Sequence, residues 1–458
     1  MQFTFRTDMT ELLVVTTNGM TFAALQTQNN GDHGRAVRDD GAARGSTEQK
    51  GAIMRNTIRH LAKLTVSATV LASAFLAGPA LADEDGVLKI GAPLALTGGL
   101  ADEGKKQEAV WQLWLDKVTA NGGIEVDGKK MPVELVYYDY QTDGKRAGQL
   151  AEKLITDDGV DVLMAPFGSG HTKIVAAVAE RYQTPLVACV ASSVSVYDQG
   201  FKYLFGTLAP NTGMTESMVA YFKEKMPGLS KVAVYGRDDV FPKAMATALA
   251  ASAGNAGLDV VYNELYAVGT MDHSAAVSAI KSASPDWIYM TGYTQDLILG
   301  RKQMSDLGID APIITMVTGP AYAEFTEGLG ELADGVTSST WWHHATSYTD
   351  TIGAWSSTAD FYKDFVAKFG GDPDYVHGSC AAAADVLVNA VQTAGSTDKT
   401  AVRDALAATE VLTFYGPIDF GDNGMNQGRE MPIIQVQGEA IKVLYPAAIA
   451  DAEMTMIK

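Results

Sequence analysis

The sequence predicts an α/β fold arranged as two similar lobes, and three observations support this. From Val87 onwards, short apolar runs alternate with amphipathic segments, which requires mainly parallel sheets with helices on both faces. One order of strand, small-residue loop, helix and Pro-led strand occurs twice, at residues 161–193 and 286–320. Hydrophobic residues make up 47% and charged residues 19% of the chain, a globular composition. Two similar halves indicate two lobes, and the natural ligand site is the cleft between them.

The elements follow in order from this pattern. VLKIGAPL is an apolar run typical of a buried strand. Trp111, Trp114, Leu115 and Val118 then recur on one helical face, which predicts that both Trp side chains pack in the core; Asn-Gly-Gly at 121–123 ends this helix. The next predicted elements are strand 133–138, helix 146–156, strand 160–166, helix 173–182 and strand 185–190. Further strands are predicted at 231–236, 259–266, 286–292 and 311–317.

Residues 54–82 have the pattern of a cleavable export signal. A cationic start with Arg55, Arg59 and Lys63 precedes the uncharged apolar run 64–76, and Ala-Leu-Ala at its end suits a signal peptidase. The apolar run is shorter than the about 20 residues that a membrane-spanning helix needs. We therefore expect a chain that is exported and cut at this point.

The residues before this signal predict no structure of their own. Residues 1–53 are polar and lack sustained periodicity, so we interpret Met54 as the true start and 1–53 as an upstream extension. Cleavage is expected before Asp83, and the absence of a Cys there argues against a lipid-anchored product.

Charge and cysteine content exclude several classes of function. The chain has 35 Lys plus Arg against 54 Asp plus Glu, a formal net charge of −19, so it offers no net cationic field for nucleic acid. Two Cys, Cys189 and Cys380, are too few for a zinc module or a disulfide scaffold. We interpret them as buried free thiols, with pairing in an oxidising compartment as the alternative.

No cofactor, metal or catalytic motif is complete. GLADEGKK resembles a phosphate-binding loop, but Lys106 stands where Ser or Thr would hold a cation. No dinucleotide fingerprint follows a strand, and His343 and His344 are neighbours rather than a metal-binding helical pair. Ser169 and His171 lack the spacing of a nucleophile elbow, which leaves a hydrolase as a weak alternative. We expect no enzyme activity, no cofactor and no metal.

The order of several segments identifies a family resemblance. From residue 85 to 446 the chain resembles the type I periplasmic solute-binding proteins of ABC importers, and it is most similar to their branched-chain amino-acid-binding (leucine/isoleucine/valine) group. The segments that carry the resemblance are KIGAPLALTGGLADEGK, NGGI at 121–124, YYDYQTDGKRAGQLAEKLI, VDVLMAPFGSG, KVAVYGRDDVF, YGPIDF at 415–420 and VQGEAIKVLYP.

The resemblance implies a first-lobe site for a ligand carboxylate. Ser169 matches the family's Ser in the loop after the third strand, and Gly168 beside it lets a ligand approach the backbone. Ala191 and Ser193 match the backbone and hydroxyl contacts after the fourth strand, with Ser192 between them. Helix N-termini beside these loops favour an anion.

On the second lobe the resemblance implies that aromatic side chains close over the ligand, and the sequence departs from the family pattern at one position. Phe241 takes the place of an aromatic residue that closes over the ligand, and Tyr293 matches a Tyr that lines the cleft. In the family, a Glu receives the ammonium group of the ligand. The matching position in this chain is Val317 or Met316, and neither side chain can pair with a cation. Either another acid replaces it, with Glu103 as one candidate, or the ligand is an amine-free organic acid. Further candidates for this acid are Asp239 and Glu324.

The resemblance also implies two parallel α/β sandwich lobes joined by three crossings, near Pro210, Thr340 and Thr413. Lobe one is then expected at 86–210 and 341–411, and lobe two at 211–340 and 412–446. The expected function is a monomeric periplasmic substrate-binding component that closes by a hinge on a small carboxylate ligand and delivers it to an inner-membrane ABC permease. The alternatives are a sensory receptor of the same fold and a periplasmic hydrolase that uses Ser169.

Overall fold

The structure is a computed structural model. It describes residues 86–309, 311–427, 430–438 and 440–457, together with a short antiparallel pair at Thr16–Thr17 and Met20–Thr21. The expected export signal at 54–82 and the proposed start at Met54 lie outside the described residues. No helix in the described part of the chain is both long and apolar enough to cross a membrane.

The first lobe contains a five-stranded parallel sheet. Its strands are β1 (Leu88–Leu94), β4 (Val133–Asp139), β5 (Val162–Met164), β6 (Leu186–Ala188) and β7 (Leu204–Gly206), in the spatial order β4–β1–β5–β6–β7. A short hairpin of β2 (Ile124–Val126) and β3 (Lys129–Met131) follows the first helix. The expected strands of this half are confirmed, whereas β7 and the hairpin were not predicted.

Helices cover this sheet on both faces. They are α1 (Ala101–Ala120), α2 (Gly144–Thr156), α3 (Ser169–Arg181) and α4 (Val194–Tyr197), followed late in the chain by α10 (Thr358–Phe369), α11 (Tyr375–Ala394) and α12 (Lys399–Ala407). α1 ends before the predicted Asn-Gly-Gly stop. α3 begins at Ser169 rather than at residue 173, because the chain turns at Gly168, whose φ of 85° favours glycine.

The second lobe contains a seven-stranded sheet. Four predicted strands are confirmed as β8 (Lys231–Arg237), β9 (Asp259–Tyr266), β10 (Trp287–Thr291) and β11 (Ile313–Val317); β12 (Thr337–Ser339), β15 (Ile433–Gln437) and β16 (Ala440–Tyr445) complete the order β9–β8–β10–β11–β12–β15–β16. The first five strands are parallel, and the last two join antiparallel. Its helices are α5 (Thr212–Lys225), α6 (Val240–Asn255), α7 (Ser274–Ala283), α8 (Thr294–Asp306) and α9 (Ala323–Leu329), with 3-10 turns at Gly319–Ala321 and Gly330–Ala333.

The internal repeat predicted from the sequence has a matching pair of hydrogen bonds. Asp161 Oδ2 accepts from the backbone N–H of Lys89 at 2.8 Å, where β1 begins. Asp286 Oδ2 accepts from the backbone N–H of Lys231 at 2.9 Å, where β8 begins. In each lobe an Asp just before one strand therefore fixes the start of its parallel neighbour, so the repeat seen in the sequence has the same hydrogen bond in both sheets.

The late part of the chain returns to the first lobe before it joins the second sheet. The hairpin of β13 (Glu410–Thr413) and β14 (Gly416–Asp419) bonds to first-lobe segments, since Leu412 O accepts from Thr351 N at 3.0 Å. Asn426 Nδ2 then donates to Thr207 O at 2.9 Å. These bonds favour a third crossing between Asn426 and β15, later than the one expected near Thr413; the lobe boundaries as a whole stay a prediction.

Packing of α11 beneath the first sheet corrects the interpretation of the cysteines. Trp111 and Trp114 are buried as predicted, and Trp111 Nε1 donates to Cys380 O at 2.9 Å. The interpretation of Cys189 and Cys380 as free thiols was wrong, because they form a disulfide with a Cα–Cα distance of 4.7 Å. α11 lies against the end of β6, where Ser379 Oγ donates to Cys189 O at 2.7 Å, and this contact brings the two sulfurs together. The α/β class and the two-lobed type I architecture are confirmed.

Candidate functional site

The loop between β5 and α3 carries the predicted first-lobe floor of the cleft. Gly168 precedes α3 with a φ of 85°, and a methyl group placed on it would lie 3.2 Å from Tyr293 Oη. Glycine is therefore required at this position both by the turn and by the close approach of the second lobe. Ser169 opens α3 and is 1% exposed, so its side chain is enclosed in this structure.

The loop after β6 lies beside it. The backbone N–H of Ser193 donates to Ser169 Oγ at 3.3 Å, which places the two predicted serine residues side by side. Ser193 Oγ is buried and has no hydrogen-bond partner among the described residues. The carbonyl of Ala191 accepts from Tyr197 Oη at 2.8 Å, and the carbonyl of Ser192 accepts from Asn211 N at 3.1 Å. Both carbonyls are thus occupied, and the unsatisfied hydroxyl of Ser193 is the group that a ligand can complete.

The start of α3 adds backbone donors to these hydroxyls. The first N–H groups of a helix have no partner within it and carry the positive end of its dipole. No side-chain cap occupies this helix start, since Gly168 has none to offer. A carboxylate next to Ser169 and Ser193 would therefore meet hydroxyl and backbone donors together.

Second-lobe aromatic side chains close over this floor. The Tyr293 ring lies edge-on to Phe167 of the first lobe at 5.8 Å between centroids and stacks beside Phe241 at 6.4 Å. The Phe241 ring lies 5.8 Å from that of Trp341, at the return crossing of the chain. The Arg237 guanidinium lies 5.0 Å over the Tyr293 ring and donates to an Asp296 carboxylate oxygen at 2.7 Å. The hydroxyl of Tyr293 thus lies against the Gly168 backbone next to Ser169, and a common cleft for the two side chains stays a prediction.

Glu103 is a buried carboxyl group between the lobes. It lies in the first turn of α1, is 2% exposed, and its Oε1 accepts from Thr294 Oγ1 of the second lobe at 2.9 Å. Burial raises the pKa of the Glu103 carboxyl, while its own backbone N–H and Lys106 oppose that shift. Val317 and Met316, where an acid was expected by resemblance, are buried apolar side chains at the end of β11.

Of the other acids considered, neither is a free substitute. Glu324 Oε2 lies 2.8 Å from Lys106 Nζ. Asp239 caps α6 by accepting from Val240 N at 2.7 Å, and its Oδ1 would lie 3.0 Å from a methyl group on Gly170, so it faces the start of α3. Asp239 thus lies beside the first turn of α3, close to the proposed carboxylate donors, where its charge repels a second carboxylate.

The sequence reasoning missed several cleft residues. Tyr140 is fully buried just after β4, has an Oη with no partner among the described residues, and packs its ring 5.1 Å from that of His171. Tyr322 and Tyr375 join the lobes through hydroxyls 2.7 Å apart. Tyr140 lies in the segment YYDYQTDGKRAGQLAEKLI, two residues after the predicted strand 133–138. Its position just beyond the carboxyl end of a strand was the signal that could have identified it. Nothing in the sequence pairs residues as distant as Tyr322 and Tyr375.

Ser169 and His171, the pair considered for a hydrolase, make separate contacts. Ser169 Oγ accepts from Ser193 N, and the His171 ring packs on Tyr140. Burial lowers the pKa of His171. In the described part of the chain, no group of three or more His, Cys, Asp or Glu side chains is arranged to hold a metal ion.

A groove lies between Lys106 of α1 and Glu324 of α9. It has a volume of about 1400 Å³ and is lined by first-lobe residues such as Lys106 and Tyr375 and by second-lobe residues such as Glu324 and Glu327. Ser169, Ser193 and Tyr293 are not among its lining residues. The groove is therefore not the candidate site itself.

Comparisons with known proteins agree with this architecture. A family model described as "Periplasmic binding protein" matches residues 87–440. The Leu/Ile/Val-binding protein homolog 8 of Brucella abortus (strain 2308) is 26% identical over 416 residues, covering 87% of this chain and 100% of that protein. Homolog 7 of Brucella suis biovar 1 (strain 1330) is 24% identical over 411 residues, covering 87% and 99%.

Solved structures share the fold at lower identity. The leucine-binding protein LivK of Thermotoga maritima has a TM-score of 0.69 at 23% identity, covering 78% of this chain and 97% of that one. LivJ of Streptococcus pneumoniae in complex with isoleucine has a TM-score of 0.67 at 23% identity, covering 79% and 100%. A solute-binding protein of an ABC transporter from Rhodopseudomonas palustris BisB5, in complex with 3,4-dihydroxybenzoic acid, has a TM-score of 0.67 at 18% identity, covering 82% and 99%.

Proposed function

The chain belongs to the periplasmic binding protein family, and on that premise we propose that it is the substrate-binding component of an ABC importer. The observation that supports this best is the buried, unsatisfied Ser193 hydroxyl, on a residue bonded to Ser169, whose neighbour Gly168 lies against Tyr293 of the second lobe. A buried hydroxyl without a partner costs free energy, and a ligand group in the cleft would remove that cost.

The proposed mechanism is capture followed by hinge closure. The first lobe binds a ligand carboxylate through Ser169, Ser193 and the start of α3. The second lobe then places Tyr293 and Phe241 over the ligand body, which excludes water and strengthens the polar contacts. The closed protein delivers its ligand to a permease in the inner membrane. It acts as a periplasmic monomer, exported by the signal at 54–82.

The proposed ligand is a small carboxylate with an apolar or aromatic body. The carboxylate fits the hydroxyl and backbone donors, and the body fits the rings of Phe167, Phe241 and Tyr293. Two neighbours of equal TM-score hold isoleucine and 3,4-dihydroxybenzoic acid, so the fold is compatible with α-amino acids and with amine-free acids. Glu103 is the first-lobe group proposed to receive an ammonium if the ligand carries one.

A thermal-shift screen of amino acids and organic acids, followed by calorimetry, tests the proposal. Leucine is titrated against its deaminated keto acid, and phenylalanine against phenylpropionate, so that each pair differs in the amine. We expect at least one carboxylate to bind with micromolar or tighter affinity, and its amide to bind more weakly. Binding of neutral amides in preference to their acids would contradict the proposed carboxylate site.

A further inference from the structure

Lys106 is a buried cation that joins three elements. It lies on α1 one turn after Glu103, and its side chain is 9% exposed. Its Nζ is 2.8 Å from Glu324 Oε2, 2.8 Å from Asp374 Oδ2, and 4.0 Å from the centre of the Tyr322 ring. These contacts use the ammonium group fully, so in this closed arrangement Lys106 is not available to hold a ligand carboxylate.

The two acidic partners of Lys106 belong to different lobes. Asp374 caps α11 in the first lobe, where its Oδ1 accepts from the backbone N–H groups of Val376 and His377 at 2.8 and 3.3 Å. Glu324 lies in the first turn of α9 in the second lobe. The pair of Lys106 with Asp374 is therefore internal to one lobe, whereas the pair with Glu324 exists only when the lobes are closed.

This arrangement makes the interlobe pair easy to break and reform. When the lobes separate, Lys106 keeps Asp374, which is 9% exposed and fixed by the helix cap, so no buried charge loses its counterion. Glu324 is already 35% exposed and returns to water. The cross-lobe pair thus favours closure without the penalty that usually accompanies the loss of a buried ion pair.

Glu324 is also separate from the proposed ligand contacts, whereas Lys106 lies one turn from Glu103 on α1. Lys106, Glu324 and Asp374 line the groove, which Ser169 and Tyr293 do not reach. Solvent in that groove meets the pair directly. Its contribution therefore depends on closure and not on which ligand fills the cleft.

We propose that Lys106 and Glu324 form an interlobe latch that sets the population of the closed state, and thereby the affinity for every ligand by one common factor. This inference rests on the proposed ligand-binding function. The measured dissociation constant is the intrinsic one divided by the fraction of molecules in the closed, binding-competent state. A change in that fraction therefore multiplies the affinities for all ligands by the same factor.

The test uses Glu324→Gln, because this change removes the charge and leaves Lys106 paired with Asp374. Glu327→Gln is the matched control, since Glu327 is an exposed residue on the same helix. Glu324→Lys is the second variant, because it places two cations together and should open the lobes further. Radius of gyration is measured by small-angle X-ray scattering on the unliganded proteins, and affinity by calorimetry for at least three ligands.

We expect the unliganded radius of gyration to increase from wild type to Glu324→Gln to Glu324→Lys, with Glu327→Gln equal to wild type. Affinities of Glu324→Gln should fall about two- to fivefold, by the same factor for each ligand. Equal radii for all four proteins would overturn the latch, and so would a factor that differs among ligands, because Glu324 would then be contacting the ligand. If no ligand is found, the proposed function fails, while the scattering series still decides whether the latch exists.

Discussion

Ser169→Ala tests the ligand site most directly. The hydroxyl oxygen of Ser169 already accepts from Ser193 N at 3.3 Å, so its own hydrogen is free to donate to a ligand carboxylate. A hydrogen bond to a charged group is worth about 1.5–3 kcal/mol, so the dissociation constant should become roughly ten- to hundredfold larger after the change. The unliganded protein loses only one long internal hydrogen bond, so its free energy of unfolding should fall by about 1 kcal/mol or less.

The assay is isothermal calorimetry of wild type, Ser169→Ala and Ser195→Ala with a ligand from the screen, together with urea unfolding of the unliganded proteins. Ser195 is an exposed residue on α4, and its variant should bind as wild type does. The amide of the same ligand should lose less affinity than the acid, because it presents no charge to the hydroxyl. An unchanged dissociation constant for the acid in Ser169→Ala would refute the assignment.

Three further predictions concern buried groups. Glu103→Gln should weaken the binding of leucine about ten- to hundredfold and leave the binding of its keto acid nearly unchanged, because only the ammonium of leucine loses a charged partner. Equal effects on both ligands, measured by calorimetry, would exclude this role. Replacing Cys189 and Cys380 together by Ser should lower the free energy of unfolding by about 2–5 kcal/mol, since the disulfide closes a loop with a sequence separation of 191 residues; urea unfolding that is identical with and without reductant would contradict the pairing. Desolvation raises the pKa of Asp385 to about 8, so the folded protein keeps this carboxyl protonated where the unfolded chain ionises it, and stability should fall as pH rises from about 4 to about 8. Asp385→Asn should match wild type in melting temperature near pH 4 and exceed it near pH 8, whereas a constant difference across that range would oppose the protonated assignment.

The strands and the repeat could be predicted from the sequence because their signals are local. Parallel strands covered on both faces are apolar along their whole length, as the burial of β10 and β11 shows. The matching roles of Asp161 and Asp286 were visible as the same position in two similar segments. The residues after β5 and β6 could be predicted as site candidates because carboxyl ends of parallel strands meet at one edge.

Contacts between distant segments could not be predicted in the same way. Cys189 and Cys380 meet only because α11 returns beneath the first sheet, and a single sequence gives no indication of that return. Lys106 was considered only within a failed phosphate-loop pattern, while its partners lie 218 and 268 residues further along the chain. The third crossing, predicted near Thr413, stays a prediction, because turn chemistry near 415–420 marks a hairpin without showing which lobe it packs on; the bond from Asn426 to Thr207 O favours a later position.

The distribution of polar groups between the lobes has a consequence for how the proposed ligand binds. Ser169, Ser193 and Glu103 all belong to the first lobe, so an amino acid could place both of its charged ends there before closure. The second lobe then contributes the rings of Tyr293 and Phe241. Capture would thus depend on first-lobe charge and hydrogen bonding, and closure on apolar packing and the Lys106–Glu324 pair. An acid at Val317 would instead bind the ligand ammonium from the second lobe, so that the same contact would serve both capture and closure. Because Val317 is apolar, we expect that mutations can change capture and closure independently.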